Sequence, residues 1–116
     1  MKKIMIIAML FSGTILFAQN KNAKASIEVD GVCMMCKARI EKACLTTKGV
    51  KSANWDVKTH ELKLFFDENK TDLNTIQKNI AAVGHDTKVV KAKDDVYNKI
   101  DPCCKYRDEA VVDAHN

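Results

Sequence analysis

Two cysteines separated by two residues are the part of this sequence best suited to chemistry. Cys33 and Cys36 enclose Met34 and Met35. Thiolates are the ligands that soft ions such as Cu(I) prefer, and two of them satisfy an ion that accepts a nearly linear geometry. The spacing therefore predicts a two-thiolate site for a soft metal ion, in which low coordination keeps the ion exchangeable.

The methionines between these cysteines have two interpretations. Their thioether groups are soft enough for Met34 or Met35 to give Cu(I) a third ligand. Alternatively, the flexible apolar side chains form an exposed patch that adapts to a partner. We favour the patch.

Cys33 and Cys36 also allow a redox interpretation. In an oxidising compartment they would close a short disulfide, and a thiol-disulfide oxidoreductase would use them catalytically. Enzymes of the thioredoxin type need a longer chain and usually carry an aromatic residue before the cysteines and proline between them. We therefore expect a metal-binding protein and not an enzyme, with passive sequestration or sensing of metal as a further alternative.

The chain has five cysteines, but their spacing is unsuited to a disulfide framework. Cys103 and Cys104 are adjacent, and a bond between neighbouring cysteines has a strained geometry. They would supply extra thiolates to the metal, pair with Cys33 or Cys36, or form a structural disulfide. Cys44 is expected to pack in the core.

Residues 1–18 are predicted to be a secretory signal peptide. They begin with Lys2 and Lys3, continue as a short apolar run and end at Ala18. The apolar run is shorter than the roughly 20 residues that span a bilayer, so a membrane anchor is disfavoured. We expect a protein that is exported to the periplasm or secreted, without stable membrane insertion.

The charge of the exported chain is close to neutral. Cleavage would lower the formal net charge from +4 to +2, because it removes Lys2 and Lys3 and no acidic residue. The remaining lysines are scattered and form no dense basic block, which argues against a nucleic-acid partner. We expect a monomer.

Hydrophobic periodicity predicts four strands and two helices. Alternating polar and apolar residues predict strands over 23–30, 53–57, 62–66 and 87–91. Helical spacing predicts a helix between the cysteine loop and Gly49, and a second helix capped by Thr71 or Asp72 and ended by Gly84. The inward side chains are expected to be Ile27, Val29, Cys36, Ile40, Ala43, Cys44, Trp55, Leu62, Leu64, Phe66, Leu73, Ile76, Ile80 and Val83.

The order strand, helix, strand, strand, helix, strand defines a ferredoxin-like fold of the α+β class. Two helices would pack on one face of a four-stranded antiparallel sheet. The domain is expected to span residues 23–92. Beyond it the composition becomes polar, and residues 93–116 are predicted to be a flexible tail that carries Cys103 and Cys104.

The start of the first helix is expected to activate the cysteine site. Cys36 should lie in the first turn, where free backbone N–H groups and the helix dipole favour a thiolate and lower its pKa. Lys37 adds a positive charge beside it.

The run from Asp30 to Ala43 places its C-x-x-C motif between a first strand and an I-E-x-A helix, and it resembles the heavy-metal-associated domain. The resemblance covers about residues 24–92. That family includes copper chaperones, the periplasmic mercuric-ion-binding protein and the N-terminal modules of metal-transporting P-type ATPases. Many members have Gly-Met-Thr before the first cysteine, whereas Gly31-Val32 leads directly into Cys33 here, so this loop is one residue shorter.

The resemblance implies transient binding of a soft ion by Cys33 and Cys36. Cu(I) is the ion we expect, while Hg(II), Zn(II) and Cd(II) also accept thiolates. The resemblance further implies transfer by ligand exchange with a partner, such as a metal-transporting ATPase or another heavy-metal-associated domain.

His85 is a candidate at the edge of the site. It follows Gly84 in a loop that lies beside the cysteine loop in this fold, where family members often carry Tyr, Phe or Lys. Three roles are open: a third metal ligand, a protonated group that offsets the charge of a bis-thiolate, or a loop histidine hydrogen-bonded to Asp86. His60, at the far end of the sheet, and His115 are expected to be solvated.

Overall fold

The computed structural model describes residues 20–116. The predicted signal peptide, residues 1–18, lies outside the described residues and stays a prediction. Within residues 20–116, no helix is both long enough and apolar enough to cross a membrane.

Three strands form an antiparallel sheet with the order β1-β3-β2. The inward side chains of the central strand are buried, as the alternation of Leu62, Leu64 and Phe66 predicts. Glu28 lies opposite Glu61, which brings the cysteine loop after the first strand next to the turn before the third. The strands are β1 (Ala23–Glu28), β2 (Val50–Trp55) and β3 (Glu61–Phe66).

This register places His60 at the same end of the sheet as the cysteine loop, so the prediction that it lies at the far end was wrong. Its carbonyl oxygen accepts a hydrogen bond from the backbone N–H of Val29 at 3.0 Å. Its ring stacks on that of Trp55, with 5.7 Å between the centroids. The antiparallel pairing requires this placement, because the end of β1 meets the start of β3.

Two helices, α1 (Met34–Leu45) and α2 (Leu73–Ala82), complete the predicted α+β, ferredoxin-like class. Asp72 caps α2, because its side chain accepts a hydrogen bond from the backbone N–H of Thr75 at 2.7 Å and so satisfies a free donor of the first turn. Both helices direct their predicted stripes to the core. The buried members are Cys36, Ile40, Ala43 and Cys44 of α1 and Ile76 and Ile80 of α2.

The predicted fourth strand, residues 87–91, is reduced to a single bridge between Val29 and Thr87 in the described residues. The side-chain oxygen of Thr87 accepts hydrogen bonds from the backbone N–H groups of Val89 and Val90, at 3.3 and 3.0 Å. Its own backbone N–H donates to the Val90 carbonyl oxygen at 2.8 Å. These local bonds form a turn and use the groups that a strand would offer to its neighbour.

The predicted flexible tail is folded onto the domain, so that prediction was wrong. Tyr97, Ile100 and Cys104 join the hydrophobic core, and Cys104 is fully buried. Three apolar side chains separated by polar residues fill the core without producing a periodic pattern. We call residues 97–107 the C-terminal segment. Helix α3 (Asp94–Tyr97) leads into this segment, and a 3-10 turn (Pro102–Cys104) lies within it. Helix α4 (Glu109–Ala114) follows it.

The absence of a side chain at Gly84 should allow the C-terminal segment to pack against the end of α2. This glycine ends α2 with a backbone φ of +106°, and a Cβ added there would lie 2.6 Å from Cγ2 of Ile100. We expect Gly84→Ala to lower the free energy of unfolding by about 1–3 kcal/mol, because it strains the backbone and displaces Ile100. Urea unfolding measures the loss.

Gly49→Ala is the matched control for this prediction. Its φ is +99°, but its Cβ would meet Lys70 and Thr71 rather than the segment. Limited trypsin digestion at Lys99 should therefore accelerate only in Gly84→Ala. Equal cleavage rates in the two variants would contradict the proposed contact.

Candidate metal site

The loop between β1 and α1 brings together the two cysteines of the motif. Cys33 lies just before α1 in extended backbone and Cys36 lies in its first turn, and their sulfur atoms are 3.2 Å apart. Cys36 is buried, whereas Cys33 is partly exposed. The loop packs closely on the core, because a Cβ at Gly31 would lie 2.9 Å from the Trp55 ring. One sulfur of the predicted pair thus remains accessible.

The C-terminal segment adds two further sulfurs to this pair. The Cys104 sulfur lies 3.0 Å from that of Cys33, although 71 residues separate them in the chain. The Cys103 sulfur lies 3.9 Å from that of Cys104. Cys33, Cys103 and Cys104 have all their sulfurs within 4.8 Å of one another. The fold therefore gathers four thiols at one end of α1.

These separations suit a shared metal ion. All five cysteines of the chain are free thiols. Metal–sulfur bonds of ~2.3 Å in a tetrahedral site hold neighbouring sulfurs about 3.8 Å apart. The separations of 3.0, 3.2 and 3.9 Å in the cluster differ from this value by less than an ångström.

The two cysteines of the motif differ in acidity. Burial raises the pKa of Cys33, but hydrogen bonds from the Cys104 thiol and from the backbone N–H groups of Cys36 and Met35 outweigh it and hold the pKa below its ordinary value. At Cys36 burial dominates and raises the pKa. The prediction that Cys36 has the lowered pKa was therefore wrong. The backbone N–H groups at the helix start therefore lower the pKa of Cys33, which precedes the helix, and not that of Cys36.

Lys37 does not supply the positive charge predicted beside the site. Its ammonium group donates to Oε2 of Glu41 at 2.6 Å, to the side-chain oxygen of Asn54 at 2.9 Å and to the carbonyl oxygen of Trp55 at 2.9 Å. These contacts hold Lys37 against β2, away from the sulfurs.

Arg39, which was not predicted from the sequence, supplies a positive charge instead. Its guanidinium donates to Oδ2 of Asp101 at 2.8 Å and to Nε2 of His85 at 3.1 Å. Burial and the neighbouring thiols raise the pKa of Cys104 to about 12, while a hydrogen bond from Arg39 opposes the rise. The available signal was its spacing, since Arg39 follows Cys36 by three residues and so lies one helical turn away.

His85 lies in the loop after α2, as predicted, but it is fully buried. Its Nδ1 faces the carbonyl oxygen of Asp30 at 2.8 Å, so this nitrogen carries the proton and donates it. Its Nε2 accepts from Arg39. Burial lowers the pKa of His85 to about 4, so the ring is neutral near pH 7 and does not offset thiolate charge.

The partners of His85 also differ from those predicted. Its ring is held by Asp30 and Arg39 and not by Asp86. A role as metal ligand would require Nε2 to leave Arg39, and that role stays a prediction.

Met34, Met35 and Cys44 lie where the sequence suggested. Met34 and Met35 are 64% and 49% exposed, as a partner-binding patch requires. The sulfur of Met35 also accepts a hydrogen bond from the Cys103 thiol at 3.5 Å, so both interpretations of the methionines stay open. Cys44 packs in the core, where burial raises its pKa to about 12.

The family model described as heavy-metal-associated domain matches residues 26–86, just over half of the chain. The chain therefore belongs to the heavy-metal-associated domain family, a family of metal-binding domains. The matched range contains Cys33, Cys36 and His85 and ends before the C-terminal segment. Cys103 and Cys104 are thus an addition to the part of the chain that the family describes.

Solved structures share this fold. The CopZ metallochaperone has a TM-score of 0.54 and 24% identity, over 56% of this chain and 98% of that one. Oxidised MerP from Ralstonia metallidurans CH34 has a TM-score of 0.50 and 22% identity, over 57% and 96%. The N-terminal domain of the zinc(II) ATPase ZiaA in its apo form has a TM-score of 0.51 and 33% identity, over 57% and 63%. No curated protein matches the chain.

His85 should make the stability of the fold depend on pH. Its folded pKa of about 4 lies below the ordinary value of 6.5, so the unfolded chain takes up the proton first as the pH falls. We expect the stabilisation that comes from keeping His85 neutral in the fold to be complete above about pH 7. It should be lost between pH 6.5 and 4, by on the order of 3 kcal/mol. Urea unfolding across this range measures it.

His85→Gln is the control, because glutamine keeps a donor and an acceptor but does not titrate. The stability of the unsubstituted protein should fall relative to that of the variant as the pH decreases. Parallel curves for the two proteins would contradict the assignment to His85.

Proposed function

We propose that this chain is an exported metallochaperone that binds Cu(I) through the thiolates of Cys33 and Cys36 and passes the ion to a partner by ligand exchange. The observation that carries the proposal is the pair of sulfurs 3.2 Å apart at the start of α1, within the range that matches the heavy-metal-associated domain. Ion transfer of this kind moves bonds between sulfurs and requires no catalytic residue.

The unequal exposure of the two sulfurs supports exchange. Cys33 is partly exposed and its pKa is held below the ordinary value, so its sulfur is the one that an ion approaching from solvent meets first. Cys36 is buried and would retain the ion from below. An incoming thiolate of a partner can then bind the ion on the exposed side before Cys36 releases it.

The exposed methionines support docking of a partner at the same place. Met34 and Met35 follow Cys33 directly and present an apolar surface on the first turn of α1. Flexible methionine side chains adapt to different partner surfaces. The proposed partner is a metal-transporting ATPase or another heavy-metal-associated domain, and the relatives described as CopZ metallochaperone and as a zinc(II) ATPase domain support this class.

Cu(I) is proposed because a soft monovalent ion is satisfied by few thiolates. Hg(II), Zn(II) and Cd(II) are the alternative ions. The solved relatives include a copper-binding domain of a P-type ATPase and a domain of a zinc(II) ATPase, so more than one thiophilic metal is a candidate for this fold.

The test is Cu(I) binding by the anaerobically reduced protein, followed by transfer to a reduced heavy-metal-associated acceptor domain. We expect one ion per chain and a loss of affinity of about 100-fold or more in Cys33→Ser and in Cys36→Ser, because each removes a soft ligand. Cys44→Ala is the matched control, since its thiol is buried in the core. Its affinity should equal that of the unsubstituted protein.

Three results would overturn the proposal. Unchanged binding in the Cys33→Ser and Cys36→Ser variants would place the ion elsewhere. Turnover in a disulfide-reduction assay that depends on Cys33 would favour the thiol-disulfide oxidoreductase instead. Bound Cu(I) that never leaves for the acceptor domain would favour passive sequestration.

Export is proposed from the N-terminal sequence, where a basic start and a short apolar run precede Ala18. We expect the intact mass of the protein from the exported fraction to correspond to a chain that begins at Gln19. Ala18→Arg should block cleavage at this position, because the processing enzyme requires a small residue there. Recovery of the uncleaved chain from the cytoplasm would refute the proposal.

A further inference from the structure

We propose that Cys104 is a third ligand of the metal ion, so that Cys33, Cys36 and Cys104 form a three-thiolate site closed by the C-terminal segment. The inference rests on the proposed function, because it assigns an additional ligand to the same ion. It goes beyond the family match, which ends at residue 86.

The position of Cys104 carries the proposal. Its sulfur lies 3.0 Å from that of Cys33, slightly closer than the 3.2 Å between Cys33 and Cys36. Cys104 is fully buried, like Cys36, so its thiol faces the site and not solvent.

The C-terminal segment is fastened on the side of the loop that holds His85. The Tyr106 hydroxyl donates to the carbonyl oxygen of Gly84 at 2.7 Å and accepts from the backbone N–H of Asp86 at 3.0 Å. Arg107 donates to both carboxylate oxygens of Asp86, at 3.1 and 2.8 Å. Ring stacking of Tyr106 on His85, at 5.3 Å, adds to these contacts. These contacts fix the segment in place beside the cysteine loop.

Arg39 fastens the segment on the other side and faces the charge that a loaded site would carry. Its hydrogen bond to Asp101 joins α1 to the residue three positions before Cys104. Binding of Cu(I) by three thiols breaks three S–H bonds, forms three Cu–S bonds and releases three protons to solvent, without change of oxidation state. The product carries two negative charges, which a neighbouring guanidinium stabilises.

Cys103 is distinguished from Cys104 by its exposure. It lies at the surface, 3.9 Å from the Cys104 sulfur, and contacts the exposed Met35. Two adjacent residues direct their side chains differently, and only Cys104 points into the core. Cys103 therefore remains outside the three-thiolate site in our proposal and provides a matched control one residue away.

The experiment uses the full chain, reduced and loaded anaerobically with one equivalent of Cu(I) as the probe. X-ray absorption counts the sulfurs around copper, and competition with a Cu(I) chelator gives the affinity. We expect three sulfurs in the unsubstituted protein and in Cys103→Ser. We expect two sulfurs in Cys104→Ser, with an affinity lower by about 10-fold.

Two further variants test whether the third sulfur comes from another residue. Met35→Leu should keep three sulfurs, which excludes the thioether as the third ligand. Cys44→Ala should also keep three. The count in the unsubstituted protein does not depend on whether Cys104→Ser retains its fold, so it tests the proposal separately.

The possible failures are distinguishable. Two sulfurs in both the unsubstituted protein and Cys104→Ser would overturn the third ligand and leave the proposed function intact. Loss of a sulfur in Cys103→Ser but not in Cys104→Ser would overturn the assignment to Cys104. Failure of the unsubstituted protein to bind Cu(I) at all would overturn the proposed function itself.

Discussion

The guanidinium of Arg39 joins the three parts of the molecule that form the site. It belongs to α1, which carries Cys36, and it bonds to His85 of the loop after α2 and to Asp101 of the C-terminal segment. The arrangement requires a neutral His85, because only a neutral ring offers Nε2 as an acceptor. Protonation would place a second positive charge against the guanidinium. The burial that lowers the pKa of His85 therefore also preserves the contact that holds the site together.

The strand register brings the contacts that support the cysteine loop to one end of the sheet. The pairing of β1 with β3 brings the cysteine loop beside the turn that contains His60. The indole N–H of Trp55 donates to the carbonyl oxygen of Val29 at 3.0 Å, directly below that loop. Gly31 then passes over the Trp55 ring at a distance that excludes a side chain. The loop that carries Cys33 is thus held by the core on one side and by the C-terminal segment on the other.

Local patterns predicted most of the helices and strands, but they left contacts between distant residues open, including whether Cys104 lies beside Cys33 or Cys36. The stripe of Ile40 and Cys44 and the alternation of β3 depend on neighbouring residues, so the sequence contains their signal. The contact between Cys33 and Cys104 joins residues 71 positions apart and leaves no period in the chain. The acidity of Cys36 was mispredicted for a related reason. The position of Cys36 in the helix follows from the local sequence, but the burial that raises its pKa depends on the whole fold.

A third thiolate alters the balance between retention and exchange in such a site. Two sulfurs leave a soft ion open to attack, whereas three hold it more firmly and shield it from solvent. Transfer then requires one ligand that leaves easily. Cys33 suits that role, because its sulfur is partly exposed whereas those of Cys36 and Cys104 are buried. In the proposed exchange a partner thiolate replaces Cys33 while the ion stays bound to the two buried sulfurs.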